Sequence, residues 1–218
     1  MKKIAVLLSG CGVYDGTELH ESVLALLEIT KSGASYQCFA PNIPQYHVVS
    51  HLTGEVQENE TRNVLVESAR IARGDIKAVD ELNIAEFDAL VIPGGFGAAK
   101  NLCDFAVTEA EYSVEPSVER FISQFASAHK PVGFICISPI MIPKLYGHGV
   151  SGTIGSDEAT AAAFEQQGGQ HHAVSVHDIV VDEKHKVVST PAYMLANDIV
   201  EAHSGISKLV EKVLQMAE

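Results

Sequence analysis

The sequence predicts an α/β fold with a mostly parallel sheet and one antiparallel edge. Short apolar runs alternate with longer amphipathic stretches, and the runs end at glycine or proline. Continuous apolar runs are typical of strands that helices cover on both faces. Near the end of the chain, two such runs flank Asp182-Glu183-Lys184-His185, which predicts an antiparallel hairpin. The 218 residues show no internal repeat, linker or low-complexity tract, so we expect one domain over residues 1–218.

The first half of the chain alternates strand and helix patterns. Apolar residues recur at helical spacing before Gly33, which stands where a C-terminal cap belongs. The predicted elements are a strand at 4–8, a helix at 17–31, a strand at 36–40, a short hairpin at 47–54, and a helix capped by Thr61 that runs to Arg73.

The second half of the chain continues the same alternation. Strands are predicted at 89–92 and 132–135, and the hairpin pairs 179–181 with 186–189. The predicted helices lie at 116–129, at 138–145, at 157–167 after Ser156 or Asp157 as a cap, at 193–203 and at 206–217.

The charge balance excludes several classes of partner. There are 15 Lys and Arg residues against 28 Asp and Glu, a formal net charge of −13, and the cations are scattered. We therefore expect no nucleic-acid partner and no binding to an anionic membrane. No apolar run reaches the roughly 20 residues that a bilayer span requires. The short apolar run at the start ends at a glycine-rich turn, and the cysteines at 11, 38, 103 and 136 lack CxxC spacing. This pattern favours a cytoplasmic location with free thiols.

The stretch Gly133-Phe134-Ile135-Cys136-Ile137-Ser138-Pro139 is the most informative motif. An apolar strand ends at Cys136 and a helix follows within a few residues, which is the context of a nucleophile elbow. A helix N-terminus behind the sulfur is expected to lower the pKa of the thiol. The alternative is a buried cysteine that only packs. Pro93-Gly94-Gly95 supports the elbow, because two glycines after a strand let backbone N–H groups face a developing oxyanion.

The acids that follow the first strand are further candidates. Asp15, Glu18 and Glu21 lie in the first loop and the start of the following helix. Acids there also complement the helix dipole, and this is the default role for at least two of them. The loop spacing differs from GxGxxG, which argues against a nicotinamide site. The histidines show neither HxH nor HExxH spacing, so we expect no metal and no cofactor.

Together these residues resemble the PfpI / class I glutamine amidotransferase-like superfamily. The finer resemblance is to the ElbB family, known as enhancing lycopene biosynthesis proteins. The residues that carry it span nearly the whole chain and are 8–16 (LSGCGVYDG), 60–65 (ETRNVL), 92–102 (IPGGFGAAKNL), the Cys136 elbow and 190–194 (TPAYM). The resemblance implies a flavodoxin-like three-layer sandwich with a class I glutamine amidotransferase-like fold, and a homodimer.

The resemblance also implies a site. The superfamily places a glutamate of the first helix against the sulfur of Cys136, and counting back from the helix end favours Glu21 over Glu18. The oxyanion donors would be the backbone N–H groups of Gly95 and Ile137, with Gly94 beside them. Superfamily proteases and amidotransferases carry His directly after the elbow cysteine. Ile137 stands there in this chain, which argues against peptide or glutamine hydrolysis.

A cysteine and a glutamate without a histidine suit chemistry on a small dicarbonyl. The expected activity is a glutathione-independent glyoxalase that converts glyoxal to glycolate through a hemithioacetal on Cys136. Two alternatives stay open: an auxiliary stress or isoprenoid-associated protein with a redox-sensing cysteine, and a deglycase or amidase.

Cys11 carries a separate hypothesis. Its loop leaves the first strand at the sheet edge where Cys136 is expected, so the two sulfurs could approach each other. An incidental loop cysteine is the favoured alternative, because a disulfide requires Cα atoms within about 7 Å.

Overall fold

A seven-stranded sheet forms the centre of the molecule. The computed structural model describes residues 1–108 and 111–217. In these residues the strands are β1 (Lys3–Leu7), β2 (Ser35–Ala40), β3 (Ile76–Ala78), β4 (Ala89–Ile92), β5 (Val132–Ile135), β6 (Ser151–Gly152), β7 (Gln170–His171), β8 (Val180–Asp182) and β9 (Val187–Thr190). The large sheet has the order β3-β2-β1-β4-β5-β9-β8, and β6 pairs with β7 separately. All pairings in the large sheet are parallel except β8 with β9. The predicted α/β class with an antiparallel edge is confirmed.

Helices cover both faces of the sheet. They are α1 (Leu19–Lys31), α2 (Val64–Ile71), α3 (Phe105–Thr108), α4 (Pro116–Ser127), α5 (Ile142–Tyr146), α6 (Glu158–Gln166) and α7 (Ile199–Met216). The side chains of β4 alternate between the two faces. Leu90 and Ile92 join the apolar core beneath α4 and α5, whereas Ala89 and Val91 join the core beneath α1 and α7. Strands buried on both faces explain the continuous apolar runs in the sequence.

The end of the chain differs from the prediction. Two helices were expected at 193–203 and 206–217, but α7 is one helix that starts at its cap Asp198, whose side chain accepts hydrogen bonds from the N–H groups of Val200 and Glu201. Gly205 lies inside this helix. A Cβ atom there would come within 2.4 Å of Thr190 Oγ1 and 2.6 Å of the Val176 carbonyl oxygen. Glycine at this position therefore permits close packing and does not interrupt the helix.

Other differences are local. Asn63, not Thr61, caps α2 through a bond from the Val66 N–H group, and α2 ends at Ile71. Asp157 caps α6. The segment predicted as a helix at 138–145 is a 3₁₀ turn over Ser138–Met141 that leads into α5. The expected hairpin at 47–54 reduces to one antiparallel bridge between Val49 and Val56. Strands β3, β6 and β7 were not predicted, because runs of two or three residues carry no readable period.

The topology brings three loops to one edge of the sheet. Strands β1, β4 and β5 are adjacent and parallel, so the segments after their carboxyl ends lie side by side. These segments contain Glu18, Gly95 and Cys136. Ligands of open α/β sheets bind at this edge. No helix within 1–108 and 111–217 is both long enough and apolar enough to cross a bilayer.

Candidate active site

Cys136 lies on a strained turn directly after β5. Its φ angle is 66°, in the left-handed region that residues other than glycine rarely adopt. The hydroxyl of Ser138 fixes the turn: it accepts a hydrogen bond from the Ile135 N–H group and donates to the Ile92 carbonyl, both at 2.9 Å. The Cys136 N–H group donates to the Thr190 carbonyl at 3.0 Å. This geometry is that of a nucleophile elbow, which presents the sulfur above the sheet edge.

Glu21 lies beneath the sulfur in the first turn of α1. Its side chain is fully buried. One carboxyl oxygen accepts a hydrogen bond from the Gly94 N–H group at 2.9 Å, and the other accepts from the Tyr193 N–H group at 3.2 Å. The carboxyl group is also hydrogen-bonded to the Cys136 thiol. These contacts hold the carboxyl group in one orientation against the sulfur.

Burial is the main influence on the acid–base properties of Glu21. Burial first, and then the nearby charge of Glu18, raise the pKa of Glu21 from its ordinary 4.5 to about 8, against the opposing hydrogen bonds from Gly94, Tyr193 and Cys136. A carboxyl group with a pKa near neutrality can take a proton and return it. Glu21 is therefore suited to act as a general acid and base.

The Cys136 thiol holds its proton more tightly than the sequence predicted. Burial and then the charge of Glu21 raise the pKa of Cys136 well above its ordinary 9.0, although the N–H groups of Gly95 and Ile137 act in the opposite direction. The predicted net direction is therefore wrong for the resting site: the Ile137 N–H group at the start of the following element lowers the pKa of the thiol, but burial and the charge of Glu21 outweigh it. The element that follows is a short 3₁₀ turn, and a helix dipole there is too weak to offset full desolvation.

Two backbone N–H groups are oriented towards the sulfur. Those of Gly95 and Ile137 form hydrogen bonds with Cys136. An oxygen on a carbon bonded to Sγ would therefore lie beside both donors, the arrangement that stabilises an oxyanion. Gly94 completes this wall, since a Cβ atom there would lie 2.5 Å from Cys136 Cβ and 2.9 Å from Glu21 Oε2.

Glu18 has a different place from Glu21. It is the N-cap of α1, and its Oε2 accepts a hydrogen bond from the Glu21 N–H group at 2.7 Å. Glu18 also lines the cavity in front of Cys136. Of the two candidate glutamates, the structure thus brings Glu21 to the thiol and leaves Glu18 at the cavity wall.

Cys11 lies in other surroundings. All four cysteines are free, so no bridge joins Cys11 to Cys136. The charged groups that act on Cys11 are those of Arg70, Glu67, Asp15 and Arg62, three of them on or just before α2, and burial raises the pKa of its thiol. The described residues that line the Cys136 cavity do not include Cys11.

Asp15 has a structural contact. Its carboxylate is buried and accepts a hydrogen bond from the Val49 N–H group at 2.7 Å. It therefore anchors the loop at 47–54 and does not reach the elbow.

A cavity of about 470 Å³ opens in front of the sulfur. Residues that the sequence analysis did not assign form much of it, among them Phe96, Phe105, Met194 and Tyr193. Tyr193 supplies the N–H donor to Glu21, and its hydroxyl shares a hydrogen bond of 2.8 Å with His20 Nδ1. The signal that could have indicated Tyr193 is its position three residues after β9, at the same edge of the sheet.

No metal site accompanies this cavity in the part of the chain that the structure describes. Among those residues, no group of three or more His, Cys, Asp or Glu side chains is arranged to hold an ion.

Comparison with known proteins places the chain in a family. No family model matches it. It is 44% identical over 223 residues to the rat mitochondrial ES1 protein homolog, covering 98% of this chain and 84% of that protein. It is equally identical to the human mitochondrial "glutamine amidotransferase-like class 1 domain-containing protein 3", covering 98% and 83%. The chain belongs to this ES1, or glutamine amidotransferase-like class 1, family.

Solved structures support the same assignment. The ES1-family fold described above matches an isoprenoid biosynthesis protein with an amidotransferase-like domain from Ehrlichia chaffeensis, with a TM-score of 0.93, 35% identity and full coverage of both chains. A DJ-1 superfamily protein from Salmonella typhimurium shares the fold alone, with a TM-score of 0.57 and 20% identity. The resemblance to the PfpI / class I glutamine amidotransferase-like superfamily is confirmed, whereas the finer ElbB assignment stays a prediction.

The comparisons also correct one expectation. A cytoplasmic location was predicted, but the rat and human ES1-family relatives, and the ES1 protein of Danio rerio at 33% identity, are all named mitochondrial. The prediction of a cytoplasmic location is therefore wrong. A short apolar run and scattered cysteines in the sequence do not distinguish between reducing compartments.

Proposed function

We propose that the chain is a glutathione-independent glyoxalase that converts glyoxal to glycolate, the activity implied by the resemblance to ElbB. The observation that carries the proposal is the buried Cys136–Glu21 pair, with Gly95 and Ile137 N–H groups at the sulfur and no histidine among the described residues lining the cavity. This set provides a nucleophile, one general acid–base group and an oxyanion site.

The first step is addition of the thiol to one carbonyl group. The Cys136 Sγ–C bond forms, the carbonyl π electrons move to oxygen, and the thiol proton reaches that oxygen through Glu21. The developing oxyanion lies beside the Gly95 and Ile137 N–H groups. The product is a hemithioacetal, so the protein thiol takes the part that glutathione plays elsewhere.

The second step is an isomerisation by Glu21. The ionised carboxylate removes the C–H proton of the hemithioacetal carbon and gives an enediolate. The hydroxyl proton moves from the first oxygen to the second, and the protonated Glu21 then returns its proton to the neighbouring carbon. The result is a hydroxyacetyl thioester, an isomer of the hemithioacetal. Water then attacks the thioester carbonyl, the Cys136 thiol leaves, and glycolate is released. No oxidant or reductant is required.

The deglycase or amidase alternative is weaker on this geometry. Superfamily hydrolases that act on amides use a histidine directly after the elbow cysteine, and this position is Ile137. Protonation of an amine leaving group would then rest on Glu21 alone, whose two carboxyl oxygens already accept hydrogen bonds from the Gly94 and Tyr193 N–H groups.

The redox-sensor alternative also has an observation against it. Sensor cysteines are accessible and have a low thiol pKa. Cys136 is buried, and burial and the charge of Glu21 raise its pKa. A peroxide titration that oxidises Cys136 faster than Cys11, with no dicarbonyl turnover, would favour the sensor.

The test is a glyoxal assay combined with trapping of the intermediate. Purified protein is mixed with glyoxal, glycolate is quantified, and quenched samples are searched by mass spectrometry for a hydroxyacetyl group on Cys136. We expect both glycolate and the adduct, and neither with Cys136→Ala. Glycolate formation by Cys136→Ala at the wild-type rate would reject the mechanism.

A homodimer also stays a proposal. Leu19, Val23 and Leu27 recur every fourth residue on the outer face of α1 and are about half exposed. An apolar helix stripe of this kind suits burial against a second copy. Analytical ultracentrifugation of the wild type and of Val23→Glu checks it, with a monomeric wild type as the contrary result.

A further inference from the structure

We propose that the site selects neutral 2-oxoaldehydes with an apolar substituent, and that Glu18 excludes anionic ones. The inference rests on the proposed function and assigns it a substrate class. It follows from the size, the lining and the charge of the cavity in front of Cys136.

The cavity is larger than glyoxal needs. Its volume of about 470 Å³ falls in the range, roughly 300–1,000 Å³, of cavities that bind drug-sized ligands. Its walls are mainly apolar and include Val13, Phe96, Ala99, Phe105, Ile137 and Met194. Glyoxal would leave these walls in contact with water, whereas a hydrocarbon or aryl substituent would cover them.

The charge of the cavity has one sign. Among the described lining residues, Glu18 is the one that carries a charge, and no Lys, Arg or His lines the cavity. Glu18 is 8% exposed and is held by the Glu21 N–H group at 2.7 Å. A carboxylate or phosphate on the substrate would therefore lose its water beside a fixed negative charge and find no cation in the lining.

Two basic side chains that contact lining residues have other partners. Lys100 Nζ lies 5.0 Å from the centre of the Phe96 ring and donates to the Tyr14 carbonyl at 3.3 Å. His20 is hydrogen-bonded to the hydroxyl group of Tyr193. Because glutathione adducts carry carboxylates, the same charge pattern disfavours them, which is consistent with a protein thiol acting in place of glutathione.

The first experiment is a kinetic series. kcat/KM is measured at one pH for glyoxal, methylglyoxal, phenylglyoxal and 4-carboxyphenylglyoxal. We expect phenylglyoxal to exceed glyoxal by at least about tenfold, and the carboxylated compound to fall at least about tenfold below phenylglyoxal. Glu18→Gln keeps an oxygen for the helix cap but removes the charge. It should therefore raise the ratio of kcat/KM for 4-carboxyphenylglyoxal to kcat/KM for phenylglyoxal towards one.

A matched control isolates the charge of Glu18. Glu183 lies in the β8–β9 hairpin, where it pairs with Lys212 at the surface. Glu183→Gln removes the same charge from the chain but is expected to leave the ratio unchanged. If Glu18→Gln and Glu183→Gln change this kcat/KM ratio equally, the change reflects only the net charge of the protein. That result would overturn the proposal that Glu18 excludes anionic substrates.

A second measurement does not depend on turnover. The rate of Cys136 alkylation, located by peptide mass spectrometry, is compared for iodoacetamide, N-benzyliodoacetamide and iodoacetate in the wild type and in Glu18→Gln. We expect the benzyl compound to react fastest and iodoacetate slowest, with the iodoacetate deficit reduced in Glu18→Gln.

The two measurements separate the two proposals. If dicarbonyls are turned over but glyoxal is the best substrate and iodoacetate reacts as fast as iodoacetamide, the selectivity proposal is wrong and the glyoxalase proposal stands. If no dicarbonyl is turned over, the glyoxalase proposal fails. The alkylation order then decides whether the site still selects neutral, apolar electrophiles.

Discussion

Cys136 and Cys11 follow the parallel strands β5 and β1 at the same edge of one sheet, and burial raises the pKa of both thiols, but the turn and the groups around the two sulfurs differ. Cys136 lies on a left-handed turn, buried against Glu21 and facing two N–H groups. Cys11 lies in a loop of intermediate exposure, near Arg70 and Glu67. The difference shows that topology brings a cysteine to a functional edge, but the turn and the groups around the sulfur make it a nucleophile.

The largest expected effect comes from removing each sulfur in turn. Cys136→Ser should lower glyoxal turnover by at least about 10³-fold, because a serine hydroxyl is a far weaker nucleophile than a cysteine thiol near neutral pH. Cys11→Ser should leave turnover unchanged. Steady-state glycolate formation measures both. A large loss in Cys11→Ser would show that the loops of Cys11 and Cys136 act together in catalysis.

The second effect concerns the Glu21 carboxyl group, which is hydrogen-bonded to the Cys136 thiol. Glu21→Gln should lower kcat by about 10²–10⁴-fold, the usual contribution of a general acid–base group. Glu18→Gln, which keeps the helix cap, should retain most of the activity towards glyoxal. If the two variants lose activity equally, the position of Glu21 against the sulfur does not explain catalysis.

The third effect tests the close packing around Cys136. Gly94→Ala places a Cβ atom 2.5 Å from Cys136 Cβ, so the elbow or the loop must move. A displacement of about 1 Å at a reacting group can cost 10²-fold in rate, and we expect a loss of that size in kcat/KM. Gly33→Ala is the matched control. Gly33 has φ 74° and no atom near its Cβ position, so its replacement strains the backbone without touching the site. Equal activity losses in both would point to general destabilisation.

The fourth effect is a shift in pH dependence. The mechanism needs ionised Glu21, so kcat/KM should rise with pH up to the Glu21 pKa of about 8. Because the charge of Glu18 raises that pKa, Glu18→Gln should move the rising limb to lower pH. The pH–rate profiles of the wild type and the variant measure the shift. A limb that stays in place would mean that another group controls the reaction.

The last expected effect is on stability and does not involve catalysis. Folded Glu21 keeps its proton between its ordinary pKa of 4.5 and about 8, whereas the unfolded chain has lost it there. The folded state thus binds more protons, and the free energy of unfolding should fall as pH rises through this window, by up to about 1.4 kcal/mol per pH unit. Glu21→Gln should lack this slope. The free energy of unfolding is measured by urea denaturation at several pH values. If its dependence on pH is the same for the wild type and Glu21→Gln, the raised pKa of Glu21 is contradicted.

Much of the fold could be predicted because its strands are buried on both faces. The runs at 89–92 and 132–135 are β4 and β5 with the same bounds in the structure, since an apolar run between turn residues leaves little freedom for their ends. The break predicted between 203 and 206 contains Gly205, and a glycine needed for a close contact has the same appearance in a sequence as one that ends a helix.

The site was predictable only in part. The strand–turn–helix pattern indicated Cys136, and the resemblance to a family placed Glu21, but neither carried information on desolvation. The pKa of the thiol was therefore predicted in the wrong direction. The described residues that line the cavity come from at least five separate segments, among them those of Phe105 and Met194. No local pattern links these segments before the chain folds.

The contact at Gly205 has a consequence for how variants of this protein would be interpreted. Gly205 lets α7 lie against Thr190, and Thr190 is both the acceptor for the Cys136 N–H group and three residues before Tyr193. A larger residue at 205 would displace the end of β9. This segment positions Cys136 through the Thr190 carbonyl and Glu21 through the Tyr193 N–H group. A survey of random substitutions would thus classify Gly205 with the functional residues, although it is not among the described residues that line the cavity.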